Sequence, residues 1–194
     1  ENIPYAYEIS DYDYIAGLKS FQDGMYQIQD ISSMLAGEYT APKAGDTIVD
    51  VCGAPGGKSI NAALKMSEQG DCGRVIARDL SDYKVALIDE NIKRLNITNI
   101  QTQVYDALDC DESLINKADI VIADLPCSGL GIIGRKPDIK YNASPEKLQS
   151  LVDLQRDILK VVSRYVKSGG VLMYSTCTIN RAENEDNADW ICKE

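Results

Sequence analysis

Two kinds of apolar run alternate along the chain. Short, nearly unbroken runs occur at 47–52 (Thr-Ile-Val-Asp-Val-Cys), 74–79 (Arg-Val-Ile-Ala-Arg-Asp), 100–104, 119–124 (Asp-Ile-Val-Ile-Ala-Asp) and 171–176 (Val-Leu-Met-Tyr-Ser-Thr), and each predicts a strand. The lack of polar alternation at 119–124 predicts a sheet covered on both faces. Between these runs the pattern changes to helical spacing. A helix is predicted from about Lys58 to Ser67, and another after Ser81, its N-cap, where Val85, Ile88, Ile92 and Leu95 form one apolar face. A long helix is predicted from Pro145 to about Lys167, with Ser144 as N-cap, Pro145 in the first turn and Gly169-Gly170 as its stop. A last helix begins near Ala182 and runs to the chain end. Upstream, Met25 to Gln29 reads as a strand and Ile31 to Glu38 as a short helix. Strands alternating with helices predict an α/β fold, a Rossmann-like doubly wound, mostly parallel sheet. Residues 1–40 then form an N-terminal extension packing on a core at 41–194, with Pro42 and Gly45 marking the connection.

Composition narrows the chemistry. Apolar residues make up 44% and charged residues 26% of 194 residues, which places the chain among globular domains and not disordered segments. No apolar run approaches the ~20 residues of a membrane span, and Glu1-Asn2-Ile3-Pro4 has neither the basic nor the apolar part of a signal peptide. There is no histidine, which excludes Ser-His-Asp and Cys-His catalysis and a histidine base. The six cysteines, at 52, 72, 110, 127, 177 and 192, include no C-x-x-C pair, so no metal site is expected. A thiol-reduced, cytoplasmic setting is expected. The net charge of −10 opposes a self-sufficient nucleic-acid binder. It requires a different substrate, a local basic surface, or basic surface supplied by another domain.

The loop Cys52-Gly53-Ala54-Pro55-Gly56-Gly57-Lys58 joins the first strand to the first core helix. Glycines there let the backbone approach a ligand, and a helix amino terminus favours anionic groups. A P-loop requires G-x-x-x-x-G-K-[ST]. Gly57-Lys58-Ser59 supplies its end, but Cys52 occupies the place of the first glycine. Asp124 after an apolar strand resembles a Walker B acid, so an NTPase stays open. Asp79 ends the second strand 22 residues after Gly57, where an acid accepts hydrogen bonds from the ribose of an adenosine-bearing cofactor. Asp106, past the third strand, is placed to reach the adenine. The loop and these acids together describe an adenosine pocket.

Two cysteines stand at strand ends, in Asp124-Leu125-Pro126-Cys127-Ser128-Gly129 and Tyr174-Ser175-Thr176-Cys177-Thr178. Carboxyl ends of neighbouring parallel strands form the ligand crevice, so both thiols are expected beside the cofactor. Cys52, Cys72, Cys110 and Cys192 read as small buried hydrophobes. From about Phe21 to Asn187 the chain resembles the Sun-type (RsmB-like) RNA 5-methylcytosine methyltransferases. The matching blocks are Tyr26-Gln27-Ile28-Gln29-Asp30, the Cys52–Lys58 loop, the Pro-Cys block, Arg135-Lys136-Pro137-Asp138, and Ser175-Thr176-Cys177-Thr178 with Glu183-Asn184-Glu185.

The resemblance implies a class I S-adenosylmethionine-dependent methyltransferase. Residues 52–58, Asp79, Asp106 and Asp124 would bind S-adenosyl-L-methionine; Cys177 would be the nucleophile and Cys127 would assist release. A thiolate adding to carbon 6 of cytosine makes carbon 5 nucleophilic enough to take a methyl group. Asp124 would bond the ring nitrogen, and Lys58 the base or its phosphate. The implied partner is RNA, ribosomal RNA by family, with Arg135, Lys136 and Lys140 as a local basic rim. Family members usually add an RNA-binding domain and two further strands. This chain carries no such domain and ends at Trp190-Ile191-Cys192-Lys193-Glu194, so a sheet truncated after the fifth strand, with self-association through its open edge, is expected. A P-loop-like NTPase and a non-catalytic cofactor- or RNA-binding fragment are the alternatives.

Overall fold

The structure, a computed structural model, describes residues 3–70 and 73–194. Glu1-Asn2 and Cys72 lie outside the described residues. Five strands, β1 (Thr47–Asp50), β2 (Arg74–Asp79), β3 (Ile100–Val104), β4 (Ala118–Asp124) and β5 (Val166–Ser175), form one sheet in the order β3-β2-β1-β4-β5. Every pairing is parallel. The chain walks outward from β1 to β3 and then crosses back to β4. The switch point therefore lies at the carboxyl ends of β1 and β4, where open α/β sheets bind ligands.

Before the sheet come α1 (Lys19–Gln22) and α2 (Ile31–Thr40). The helices α3 (Gly57–Glu68), α4 (Asp82–Arg94), α5 (Ile139–Asn142), α6 (Pro145–Val162) and α7 (Glu185–Ile191) follow in turn. Two apolar layers enclose the sheet. Ile48, Val75, Ile120 and Ile122 pack with Ala62, Ala63 and Met66 of α3. Val49, Val121 and Ala123 face the other way, onto Ile158, Leu159 and Val162 of α6. Successive β4 residues thus enter opposite cores, which accounts for its unbroken apolar run. Each such side chain contributes about 1.5–3 kcal/mol on burial.

Ser81 and Ser144 cap α4 and α6, each hydroxyl accepting from the amide three residues on, at 3.4 Å. Other expectations shift. The long helix ends at Val162 and not near Lys167, because a 3-10 turn at Ser163–Tyr165 buries Tyr165 and redirects the chain into β5. Gly169-Gly170 do not stop a helix. They lie within β5, where the pairing jumps from Ala118↔Val166 to Ile120↔Val171 and Gly169 takes a φ of +78°. The last helix begins at Glu185, after a 3-10 turn at Arg181–Glu183.

Met25–Gln29 forms no strand. The Arg94 guanidinium, at the end of α4, stacks over the Phe21 ring at 3.9 Å and donates to the carbonyls of Phe21 and Tyr26 and to Gln27 Oε1. Held at the Tyr26 carbonyl and the Gln27 side chain, the segment runs irregularly over the carboxyl end of β1. There Gln27, Ile28, Gln29 and Asp30 line a cavity.

Candidate active site

The loop after β1 is shaped by its own contacts. Gly56 adopts a φ of +104°, and a Cβ there would meet Ile60 and Ile88 at 3.1–3.2 Å, so glycine is required. Gly53 N donates to Arg78 O (2.8 Å), Ala54 N to Asp79 Oδ2 (3.0 Å) and Gly56 N to Gly53 O (2.6 Å). These three amides are spent inside the protein and are not offered to a phosphate, which weighs against the P-loop reading. Asp79 also accepts from Leu80 N and pairs with Lys84 at 3.0 Å. It holds the loop's shape from behind. Asp106 caps its own turn through Leu108 N. Neither acid is among the residues lining the cavity.

That cavity, of about 240 Å³, is lined by the loop, the Gln27–Asp30 segment, Ser33, Asp50, Lys58 and Asp124. A second, of about 290 Å³, is lined by Asp30, Ser33, Lys58, Asp124, Ser175, Thr176 and Cys177 among others. The Lys58–Asp124 ion pair, at 2.7 Å, lines both and stands between them. Ser175 Oγ donates to Asp124 Oδ1 at 2.6 Å, fixing the carboxylate to the neighbouring strand.

Asp50, unremarked in the sequence, is 1% exposed at the floor of the first cavity. Burial pushes its carboxyl up to about 7 and the nearby Asp124 charge adds to this, against Ser59, Lys58 and the Cys52 amide. Ser59 Oγ donates to Oδ2 at 2.6 Å, while among the described residues neither Oδ1 nor buried Gln29 Nε2 in the same cavity has a partner. The cavity therefore offers an unfilled acceptor and an unfilled donor. Cys52 is pushed up to about 12 by burial and by Asp50 and Asp79, which leaves it an inert thiol.

The structure brings Cys127 and Cys177 together, with sulfurs 3.1 Å apart. Cys177 N donates to Cys127 Sγ (3.2 Å), Gly131 N donates to Cys177 O (3.1 Å), and the hydroxyls of Ser128 and Thr178 meet at 2.7 Å. Cys177 is exposed and lines the second cavity, whereas Cys127 sits behind it. The hydrogen bond from Cys127 lowers Cys177 to about 7, with help from Lys136, against burial and Asp124. Cys127 is raised, chiefly by the same bond and then by burial. The contact thus favours ionisation of the more exposed sulfur over its partner. Of the basic rim, Arg135 is ion-paired with Asp30 at 2.5 Å and Lys140 lies over the Tyr141 ring.

Glu183, which stands in one of the matching blocks but carries no role in the sequence reading, is fully buried and accepts hydrogen bonds from Ser128 N, Gln155 Nε2 and Asn180 Nδ2 at 2.9–3.0 Å. Burial would raise it, but these bonds outweigh burial and hold it below the usual carboxylate range.

Comparison with known proteins gives this geometry a family. The family model described as 16S rRNA methyltransferase RsmB/F matches residues 38–194. The chain belongs to the RsmB/F family. Among RsmB/F relatives, the probable ribosomal RNA small subunit methyltransferase B of Bacillus subtilis is 43% identical over 89% of this chain and 38% of its own length. Ribosomal RNA small subunit methyltransferase F of Escherichia coli is 35% identical over 87% of this chain and 35% of its own. The crystal structure of NSun6 from Pyrococcus horikoshii with SFG superposes with a TM-score of 0.82 at 31% identity, covering 94% of this chain and 46% of that one. The chain thus spans little more than a third of the length of these curated relatives. Among the described residues, no helix is long and apolar enough to cross a membrane.

Proposed function

We propose that the chain is the catalytic core of an S-adenosylmethionine-dependent RNA methyltransferase that modifies carbon 5 of cytosine, with ribosomal RNA as substrate. One observation carries the reading: the Cys127–Cys177 pair, 3.1 Å between sulfurs, beside a cavity that meets the loop cavity at Lys58–Asp124. The names of the RsmB/F relatives support ribosomal RNA as substrate. SFG, an S-adenosylmethionine analogue, in the NSun6 structure supports the cofactor.

The unpartnered polar atoms of the first cavity fit that cofactor. Asp50 Oδ1 would accept from its ammonium, Gln29 Nε2 would donate to its carboxylate, and residues 52–58 would enclose it. Asp79 supports by fixing the loop, and Asp106 is assigned to the adenine side. When bound, S-adenosylmethionine supplies an electrophilic methyl group. The Cys177 thiolate adds to carbon 6 of the base, which makes carbon 5 nucleophilic. After carbon 5 has taken the methyl group, Cys127 assists loss of its proton, and the electron pair left behind expels Cys177. Asp124 and Lys58, already paired, hold the base edge and offset the charge that develops on it. Residues 1–40 act as an extension over the site and 41–194 as the core. The acidic net charge leaves RNA affinity to be supplied locally or by further sequence.

The test is binding and transfer. The chain should bind S-adenosylmethionine in preference to ATP with magnesium and move labelled methyl to RNA, and Cys177→Ala should keep the binding and lose the transfer. Preference for ATP, or full transfer in Cys177→Ala, contradicts the reading.

A further inference from the structure

Glu183 takes no part in the chemistry above, yet it is a fully buried carboxylate with no ion pair among the described residues. Such a group costs stability unless every lone pair it offers meets a donor, and an apolar residue of its size would often serve a fold as well. Its surroundings show why it must be an acceptor. Arg156 Nε can only donate, and it donates to Asn187 Oδ1 at 2.8 Å. That fixes Asn187 Nδ2 as donor to Gln155 Oε1 (2.9 Å), and so fixes Gln155 Nε2 as donor to Glu183 Oε2 (3.0 Å). Asn180 is fixed likewise: its Oδ1 accepts from Ala182 N, leaving Nδ2 to donate to Glu183 Oε1. The third donor is the backbone amide of Ser128. All three point inward, and only an ionised carboxylate satisfies them.

The same set of bonds brackets Cys127. Ser128, on its carboxyl side, donates directly to Glu183. Pro126, on its amino side, gives its carbonyl to Gln155 Nε2 at 2.9 Å, the nitrogen that also serves Glu183. Glu183 itself follows the Cys177 loop by six residues. The Tyr174 hydroxyl, next to that loop on β5, donates to its carbonyl. We propose that Glu183 is a positioning residue: its buried carboxylate clamps the Cys127 loop to the Cys177 loop and so holds the two sulfurs in contact. The Cys177 amide also donates to Cys127 Sγ at 3.2 Å, so the two loops meet at the sulfurs through two contacts. The inference rests on Cys177 being the nucleophile and adds the means of its activation. The other charged groups facing Cys177, namely Asp124, Lys136, Asp30 and Lys58, are untouched by a change at Glu183.

The experiment is the pH dependence of iodoacetamide alkylation, read cysteine by cysteine by peptide mass spectrometry, with neither cofactor nor RNA present. Cys192, expected to be buried, is exposed near the end of α7 and supplies an internal rate standard, and half-buried Cys52 and Cys110 report loosening of the fold. Wild-type Cys177 should titrate near 7. In Glu183→Gln its midpoint should rise toward the ordinary thiol value of ~8.5, slowing alkylation at pH 7 about tenfold, while Cys52 and Cys110 stay protected. Gln155→Met should shift it in the same direction by less. Cys127→Ala should shift it at least as far, and Cys127→Ala/Glu183→Gln no further, since Glu183 acts through Cys127. An unmoved Cys177 midpoint in both Glu183→Gln and Gln155→Met overturns the proposal. So do additive shifts in the double variant, or parallel exposure of Cys52 and Cys110. Methyl transfer is assayed separately, so an inactive chain whose Cys177 shifts as described counts against the proposed function and not against the clamp.

Discussion

Around β1, the loop Cys52–Lys58 and the Gln27–Asp30 segment enclose a cavity in which Asp50 Oδ1 and Gln29 Nε2 lack protein partners. Around β4 and β5, the two cysteine loops share a closed network through Glu183, Gln155, Asn187, Ser128 and Thr178. Among the described residues, the buried side-chain polar atoms without partners are on Tyr26, Gln29, Asp50, Asn61 and Arg78, none of them in the cysteine loops. The difference follows from what each half does. A cofactor completes the first half when it binds, so its polar atoms wait. On the proposed mechanism the second must hold two sulfurs in register through addition and release, which fits polar atoms that are satisfied in advance.

Variants should separate the halves. Cys177→Ala should cut methyl transfer by on the order of 10⁴-fold while leaving S-adenosylmethionine affinity, measured by calorimetry, within about twofold. Glu183→Ala strands three donors and should cost on the order of 3 kcal/mol in urea unfolding. Asp50→Asn should weaken cofactor binding by about 10–100-fold, the worth of a hydrogen bond to a charged group, and leave Cys177 alkylation unchanged. Loss of affinity in Cys177→Ala, or of thiol reactivity in Asp50→Asn, would merge the two halves into one.

The carboxyl of Asp50 sets a pH dependence on the first half alone. Its folded value of about 7 stands above the ordinary 3.8, so the folded chain holds a proton that the unfolded chain releases. The stability this contributes is complete below about pH 4 and is lost as pH rises through 7. In the proposed contact the cofactor's ammonium would favour the ionised form and expel that proton. Affinity should therefore rise by up to about tenfold per pH unit below 7 and level off above it. A flat profile between pH 5.5 and 8 would show that Asp50 does not meet the ammonium. Ser144→Ala, at the α6 cap, should cost only about 1 kcal/mol and leave cofactor binding unaltered.

Much of this was legible in the sequence because it is local. The five strands, the caps Ser81 and Ser144, and the loop with its two cysteine partners follow from period, turn chemistry and placement at strand ends. What escaped depends on contacts far apart in the chain. Gly169-Gly170 read as a helix stop, but the pairing of β5 with β4 recruits them into a strand irregularity. Met25–Gln29 has strand-like composition, and Arg94, nearly seventy residues away, bonds the Tyr26 carbonyl and the Gln27 side chain and holds the segment to α4. Asp50 looked like one more strand residue until burial placed it under the cavity. Glu183 meets Ser128 across 55 residues, a pairing that no spacing rule signals.

The central claim is covalent attack by Cys177 on the target base, with Cys127 needed for release. Cys127→Ala, incubated with RNA and S-adenosylmethionine, digested and read by mass spectrometry, tests it most directly. The account predicts that the peptide containing Cys177 accumulates bearing a methylated cytidine. Methylated RNA released at the wild-type rate with that peptide unmodified, or an adduct on any other cysteine, would contradict it.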